Sequence, residues 1–111
     1  AEESFYKALE GLQKNQRDSY ERSLMQQMNR LANGGQLTAE NFPKEGLLPD
    51  KKHFYAFKKI PIRAYCWYSK ICPKTIFISH YVLKKKNDLS ERDTSLVNRR
   101  WRKKETRDEN H

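Results

Sequence analysis

Three stretches in the second half of the chain decide the fold: His53-Phe54-Tyr55-Ala56-Phe57-Lys58, Ile62-Arg63-Ala64-Tyr65-Cys66-Trp67-Tyr68 and Thr75-Ile76-Phe77-Ile78-Ser79-His80-Tyr81-Val82. Each is rich in aromatic and β-branched residues, which suit the pleated, half-buried surface of a strand. Pro61 marks the turn out of the first, and a turn through Ser69 to Lys74, containing Pro73, joins the second to the third. Three successive strands with short links predict an antiparallel meander over residues 53–83. Strand side chains alternate between faces, so Ile62, Ala64 and Cys66 share one face, and Arg63, Tyr65 and Trp67 the other. With the aliphatic face packed on helices, Arg63 is expected among aromatic rings on an open face. That arrangement suits nucleic acid, the guanidinium holding phosphate and the rings stacking on bases; the same rings can also simply cover the sheet.

Helical periodicity flanks the meander on both sides. Phe5, Ala8, Leu9 and Leu12 recur at helical spacing, and Tyr20, Leu24, Met28 and Leu31 form a second stripe ended by Gly34-Gly35. Two amphipathic helices are predicted over about residues 3–33, with Met25 and Met28 as core filler. Residues 34–52, punctuated by Pro43, Gly46 and Pro49, read as an irregular linker tacked to the core by Phe42 and Leu47-Leu48. After the meander, Ser90 is an N-cap with Asp93 three residues on, and Leu96, Val97 and Trp101 make an apolar stripe. This predicts a C-terminal helix over about residues 90–102, followed by a charged tail, 105–111. The expected fold class is α+β: a single domain, residues 1–104, with two N-terminal helices on a small antiparallel meander and a helix at the C-terminal end.

With 111 residues, the chain has room for one small core. Its charge is uneven. Residues 1–50 carry six basic and eight acidic groups, net −2, whereas residues 51–111 carry seventeen and six, net +11. A strongly basic half points to a polyanionic partner, most often nucleic acid. No apolar run approaches the length of a membrane span, so no membrane partner is expected. The acidic start, Ala1-Glu2-Glu3-Ser4, has no secretory hydrophobic region, so the expected compartment is the cytoplasm. Cys66 and Cys72 fit neither a disulfide framework nor a zinc spacing and read as ordinary thiols. No phosphate-cradling loop, dinucleotide fingerprint or nucleophile elbow is present. The carboxylates fall mostly on helix exteriors, so neither a metal site nor a cofactor is expected.

Two runs carry a family resemblance: His53-Phe54-Tyr55-Ala56-Phe57-Lys58-Lys59 followed by Ile62-Arg63-Ala64-Tyr65, and Ile78-Ser79-His80-Tyr81-Val82-Leu83-Lys84-Lys85-Lys86. With the order of elements, they resemble the RelE/ParE superfamily of bacterial toxins, and within it the HigB-like branch. An arginine on the third strand and a histidine followed by lysines after the fourth recur there in comparable places. That family usually opens with a β-strand, where this chain has helical periodicity. The resemblance implies a toxin of a type II toxin–antitoxin pair. Many such toxins are metal-independent, ribosome-dependent mRNA endonucleases that block translation; others inhibit DNA gyrase without ribonuclease residues. A basic module that binds nucleic acid only is a further alternative. The implied partners are mRNA, the ribosome and a cognate antitoxin, a small DNA-binding protein with an acidic contact segment that packs on the sheet or around Leu96, Val97 and Trp101.

Metal-free RNA cleavage needs a base for the 2′-hydroxyl, positive charge on the phosphorane and an acid for the 5′-oxygen. Arg63 is the candidate for holding the phosphate. His80 is the candidate acid or base, since imidazole exchanges protons near neutral pH. Lys58 and Lys59, adjacent cations beside the turn into Arg63, are candidate catalytic groups, one as base or both as backbone contacts. His53 is a second proton carrier or RNA contact, or a strand cap. Tyr65 and Trp67 are candidate stacking rings, and Lys84, Lys85 and Lys86 are candidate grips on flanking phosphates.

Overall fold

A computed structural model of the chain describes residues 12–59, 61–83 and 89–106. The stripe Tyr20, Leu24, Met28 and Leu31 folds as helix α1, Lys14–Ala32. Its first turn is closed by Gln16, whose side-chain oxygen accepts from the Gln13 N–H at 3.3 Å. It stops at Gly34, which takes the left-handed conformation, φ +84°, so the Gly35 N–H can reach the Arg30 carbonyl at 2.8 Å. The helix expected over Phe5, Ala8 and Leu9 lies outside the described residues; among those described there is one N-terminal helix, not two.

The meander forms as β2 (His53–Lys59), β3 (Ile62–Tyr68) and β4 (Ile76–Leu83). The linker supplies a strand that its composition hides, β1 (Lys44–Leu47), paired antiparallel with β2. Lys44-Glu45-Gly46-Leu47 has no β-branched residue and follows a proline, so only tertiary pairing makes it a strand. The sheet is therefore four-stranded, in the order β1-β2-β3-β4. Two register shifts interrupt it, one at Glu45 in β1 and one at Ser79 in β4, where the pairings Tyr65↔His80 and Cys66↔Ile78 leave Ser79 over. The C-terminal helix α2 spans Glu91–Glu105 from the expected N-cap, Ser90. It runs three residues further than its apolar stripe suggests, taking Glu105 out of the expected tail; residues 107–111 lie outside the described set.

Both faces of the sheet are covered. Leu24, Phe57, Ile62, Ala64 and Cys66 form one core, joined by Tyr20, Met28 and Leu31 of α1 and by Phe42 of the linker. Phe42 stacks on Tyr55 with ring centroids 4.8 Å apart, tacking the linker down as expected. The second core holds Leu48, Phe54, Ala56, Tyr65 and Trp67 against Val97 and Trp101 of α2. An open face around Tyr65 and Trp67 is thus not what the fold gives. The apolar stripe of α2 needs burial and finds it on that face, leaving Tyr65 0% and Trp67 1% exposed. Leu47, in contrast, points outward.

Glycine has one packing role in the second core. A Cβ on Gly46 would sit 2.8 Å from Phe54 Cε2 and Cζ and 3.0 Å from Leu89 Cδ2. Phe54 is fully buried and has nowhere to retreat. Gly46→Ala is therefore expected to cost about 2 kcal/mol of stability, read as a lower midpoint in urea; an unchanged midpoint would contradict this packing.

Candidate functional site

The register of the sheet brings three of the candidate residues to one end of the face beneath α2. Lys58 and Arg63 are direct cross-strand partners on β2 and β3. Tyr65, two residues along β3 on the same face, is the direct partner of His80 on β4. The bulge at Ser79 adjoins this cluster, and the bulge at Glu45, opposite Phe54 and Tyr55, sends its side chain to it. Bulges re-aim side chains and bend strands, and they concentrate next to functional sites. The bulge at Glu45 accompanies a carboxylate held 3.4 Å from Arg63 Nη1. The bulge at Ser79 leaves its hydroxyl 2.8 Å from Nδ1 of His80, and Arg100 of α2 donates a hydrogen bond to its carbonyl.

His80 joins β4 to the first turn of α2. Its Nε2 lies 3.0 Å from Asp93 Oδ1. The other carboxylate oxygen of Asp93 accepts from the Ser90 hydroxyl at 2.7 Å, and Ser90 Oγ accepts from the Asp93 N–H at 3.1 Å. An ionised carboxylate only accepts, which assigns a proton to Nε2; in the neutral form of the ring, Nδ1 then accepts from the Ser79 hydroxyl. Asp93 sits in the first turn of α2, where the helix dipole favours its negative charge. An imidazole oriented by a carboxylate is the arrangement that fixes tautomer and basicity in proton-transfer sites. Here it is nearly closed to solvent, with His80 5% and Arg63 3% exposed. Ser90→Ala should remove both the cap and the donor to Asp93, at a cost of about 1 kcal/mol; a melting temperature equal to wild type would contradict the linked role.

The remaining candidates separate from this cluster. Lys59 pairs with Ile62 and lies on the opposite face from Lys58. His53 is exposed at the far end of β2, five residues or roughly 17 Å from Lys58. Tyr65 and Trp67 are sealed in the second core, so neither offers a ring face to a base. Lys84, Lys85 and Lys86 lie outside the described residues. Leu96 is partly covered, and Val97 and Trp101 face the sheet, so the last two are not available as an antitoxin surface.

Sequence reasoning missed three carboxylates. Asp93 carried a local signal, the S-x-x-D cap, but nothing announced its pairing with His80. Glu45 gave no signal, because its partner stands eighteen residues away across the sheet. Glu105 falls in the charged tail by its sequence pattern, yet it is buried and accepts from Trp67 Nε1 at 3.0 Å, the Lys70 N–H at 2.9 Å and the Ser69 hydroxyl at 3.0 Å. Cys66 and Cys72 are free thiols, and burial pushes the Cys66 thiol far up, leaving it inert.

The excess positive charge is also not where an open sheet face would put it. Arg92, Arg99, Arg100, Arg102, Lys103 and Lys104 are all exposed along α2, so the outer surface of that helix is the basic one. Among the described residues no helix is long and apolar enough to cross a membrane, and no cluster of three or more His, Cys, Asp or Glu side chains is placed to hold a metal ion. No protein-family model, no curated protein and no solved structure matches the chain.

Proposed function

We propose that this chain is a toxin of the RelE/HigB type that acts on mRNA at the ribosome as a metal-independent endonuclease. One observation carries it: Lys58, Arg63 and His80, chosen for their chemistry, converge from three strands on one end of one sheet face. Arg63 binds the scissile phosphate, exchanging its Glu45 partner for phosphate oxygens. His80, oriented by Asp93, moves the proton, with Lys58 beside Arg63 as the second charged group. The basic exterior of α2 grips flanking RNA, and a cognate antitoxin holds the toxin inactive in the cytoplasm. Inducing the chain in cells tests this: growth should stop and primer extension should reveal discrete cuts within translated messages. Growth arrest with intact messages would remove the endonuclease reading.

Burial supports the second reading. Arg63 and His80 each carry a carboxylate partner and are almost closed to solvent, as structural ion pairs are. A non-catalytic toxin of the same fold, directed at DNA gyrase, needs no reactive groups at the sheet and uses only surface contacts. It is distinguished by intact mRNA together with a DNA-damage response.

A further inference from the structure

Among the described residues the sheet ends in β4, and over a short stretch the backbone of that edge takes no hydrogen-bond partner. The Ser69 N–H donates to the Thr75 carbonyl at 2.9 Å, which makes these opposed residues a hydrogen-bonded pair. Antiparallel alternation then turns Phe77 toward β3, and turns the N–H and C=O of Ile76 and Ile78 away from it. Beyond Ile78 the bulge begins, and Arg100 takes the Ser79 carbonyl. Natural edges are usually guarded by lysine, proline or inward charge; Ile76-Phe77-Ile78 has none of these.

Two grooves of different chemistry flank this same edge. On the α2 side a groove of about 840 Å³ is floored by Trp67 and Phe77 and rimmed by Arg100, Lys103 and Lys104. On the α1 side a cavity of about 450 Å³ is walled by Met28, Leu31, Phe57 and Tyr68. Ile76 and Ile78 line both. A strand added to β4 would send alternate side chains to the two sides. One set would meet three cations; the other would meet a mainly apolar hollow whose lining holds one cation, Lys74.

We infer that the β4 edge is the docking site for an extended segment of a partner protein in which acidic and apolar residues alternate, bound as a fifth strand. Main-chain bonds to Ile76 and Ile78 give affinity, and the two grooves give selectivity and register. The inference rests on the proposed function only in making that partner the inhibitor; the binding itself does not depend on any activity. Nucleic acid fits this edge less well, because a phosphate backbone can use the cations but not the outward N–H and C=O groups in alternation.

The test uses the whole chain and a fluorescein-labelled heptapeptide alternating glutamate and valine. Saturable binding is expected, together with slowed amide exchange at Ile76 and Ile78. The double variant K103E/K104E, changed only at exposed positions, should bind about ten-fold more weakly. N-methylation of alternate peptide amides should weaken binding by a similar factor, because it removes the main-chain bonds. Equal binding of the N-methylated peptide, absence of saturable binding, or slowed exchange at Ile76 and Ile78 with an oligouridine RNA in place of the peptide would each overturn the proposal. None of these readouts moves if the endonuclease reading fails.

Discussion

Glu105→Ala is expected to lower the free energy of unfolding by about 3 kcal/mol, measured by urea or guanidinium titration. The carboxylate is 2% exposed and accepts from three donors: the Trp67 indole, the Lys70 main chain and the Ser69 hydroxyl. The Ser69 hydroxyl can turn elsewhere, but the other two donors cannot. Trp67 is fully buried, so no water replaces the lost acceptor, and a buried unsatisfied donor costs about 1–3 kcal/mol. Lys70 holds the same corner by placing its Nζ 4.8 Å over the Trp101 ring. Glu105→Gln keeps one acceptor oxygen and should lose less. A loss below about 1 kcal/mol for alanine would mean that water re-enters the corner and that Glu105 does not anchor α2.

The second large effect is on activity. Arg63→Lys is expected to reduce mRNA cleavage about 100-fold, the usual consequence of removing a donor aimed at developing charge. Lysine keeps the positive charge opposite Glu45 but loses the planar fork that holds phosphate through two parallel bonds. Alanine is the wrong probe here. It would remove the guanidinium held 3.4 Å from the nearly buried Glu45 carboxylate, and breaking a buried pair costs about 3–5 kcal/mol, enough to unfold a small chain. Circular dichroism and thermal melting should therefore show Arg63→Lys folded while its cleavage is lost. A folded variant that cleaves at the wild-type rate would make Arg63 a structural ion pair only.

The parts of the fold legible in the sequence are those encoded by short-range periodicity. The stripe from Tyr20 to Leu31 repeats every three or four residues, and Ser90 with Asp93 caps in a local pattern. The three aromatic strands alternate cleanly enough to separate Ile62, Ala64 and Cys66 from Arg63, Tyr65 and Trp67. What escaped depends on partners far along the chain. β1 is a strand because β2 offers it an edge, not because Lys44-Glu45-Gly46-Leu47 prefers extension. The closing of the second face followed from an apolar stripe on α2 that was visible, but whose destination was not. For the site, the convergence of Lys58, Arg63 and His80 was accessible from strand parity. Their carboxylate partners were not, since Glu45 and Asp93 reach them only after the sheet and α2 have assembled.

That assembly also changes how the charge is understood. Among the described residues, six cations of this half lie exposed along α2, while at the cluster Arg63 is held by Glu45 and His80 by Asp93. The chemistry proposed at Arg63 therefore requires phosphate to compete with Glu45, and the chemistry at His80 works through a ring that Asp93 already orients.

The most direct measurement is cleavage of a short radiolabelled message on purified, programmed ribosomes by the purified chain. A message cut at a defined position, with a 2′,3′-cyclic phosphate on the upstream fragment and little cutting by Arg63→Lys, is the expected result. A message left intact at protein concentrations that arrest growth in cells would contradict it.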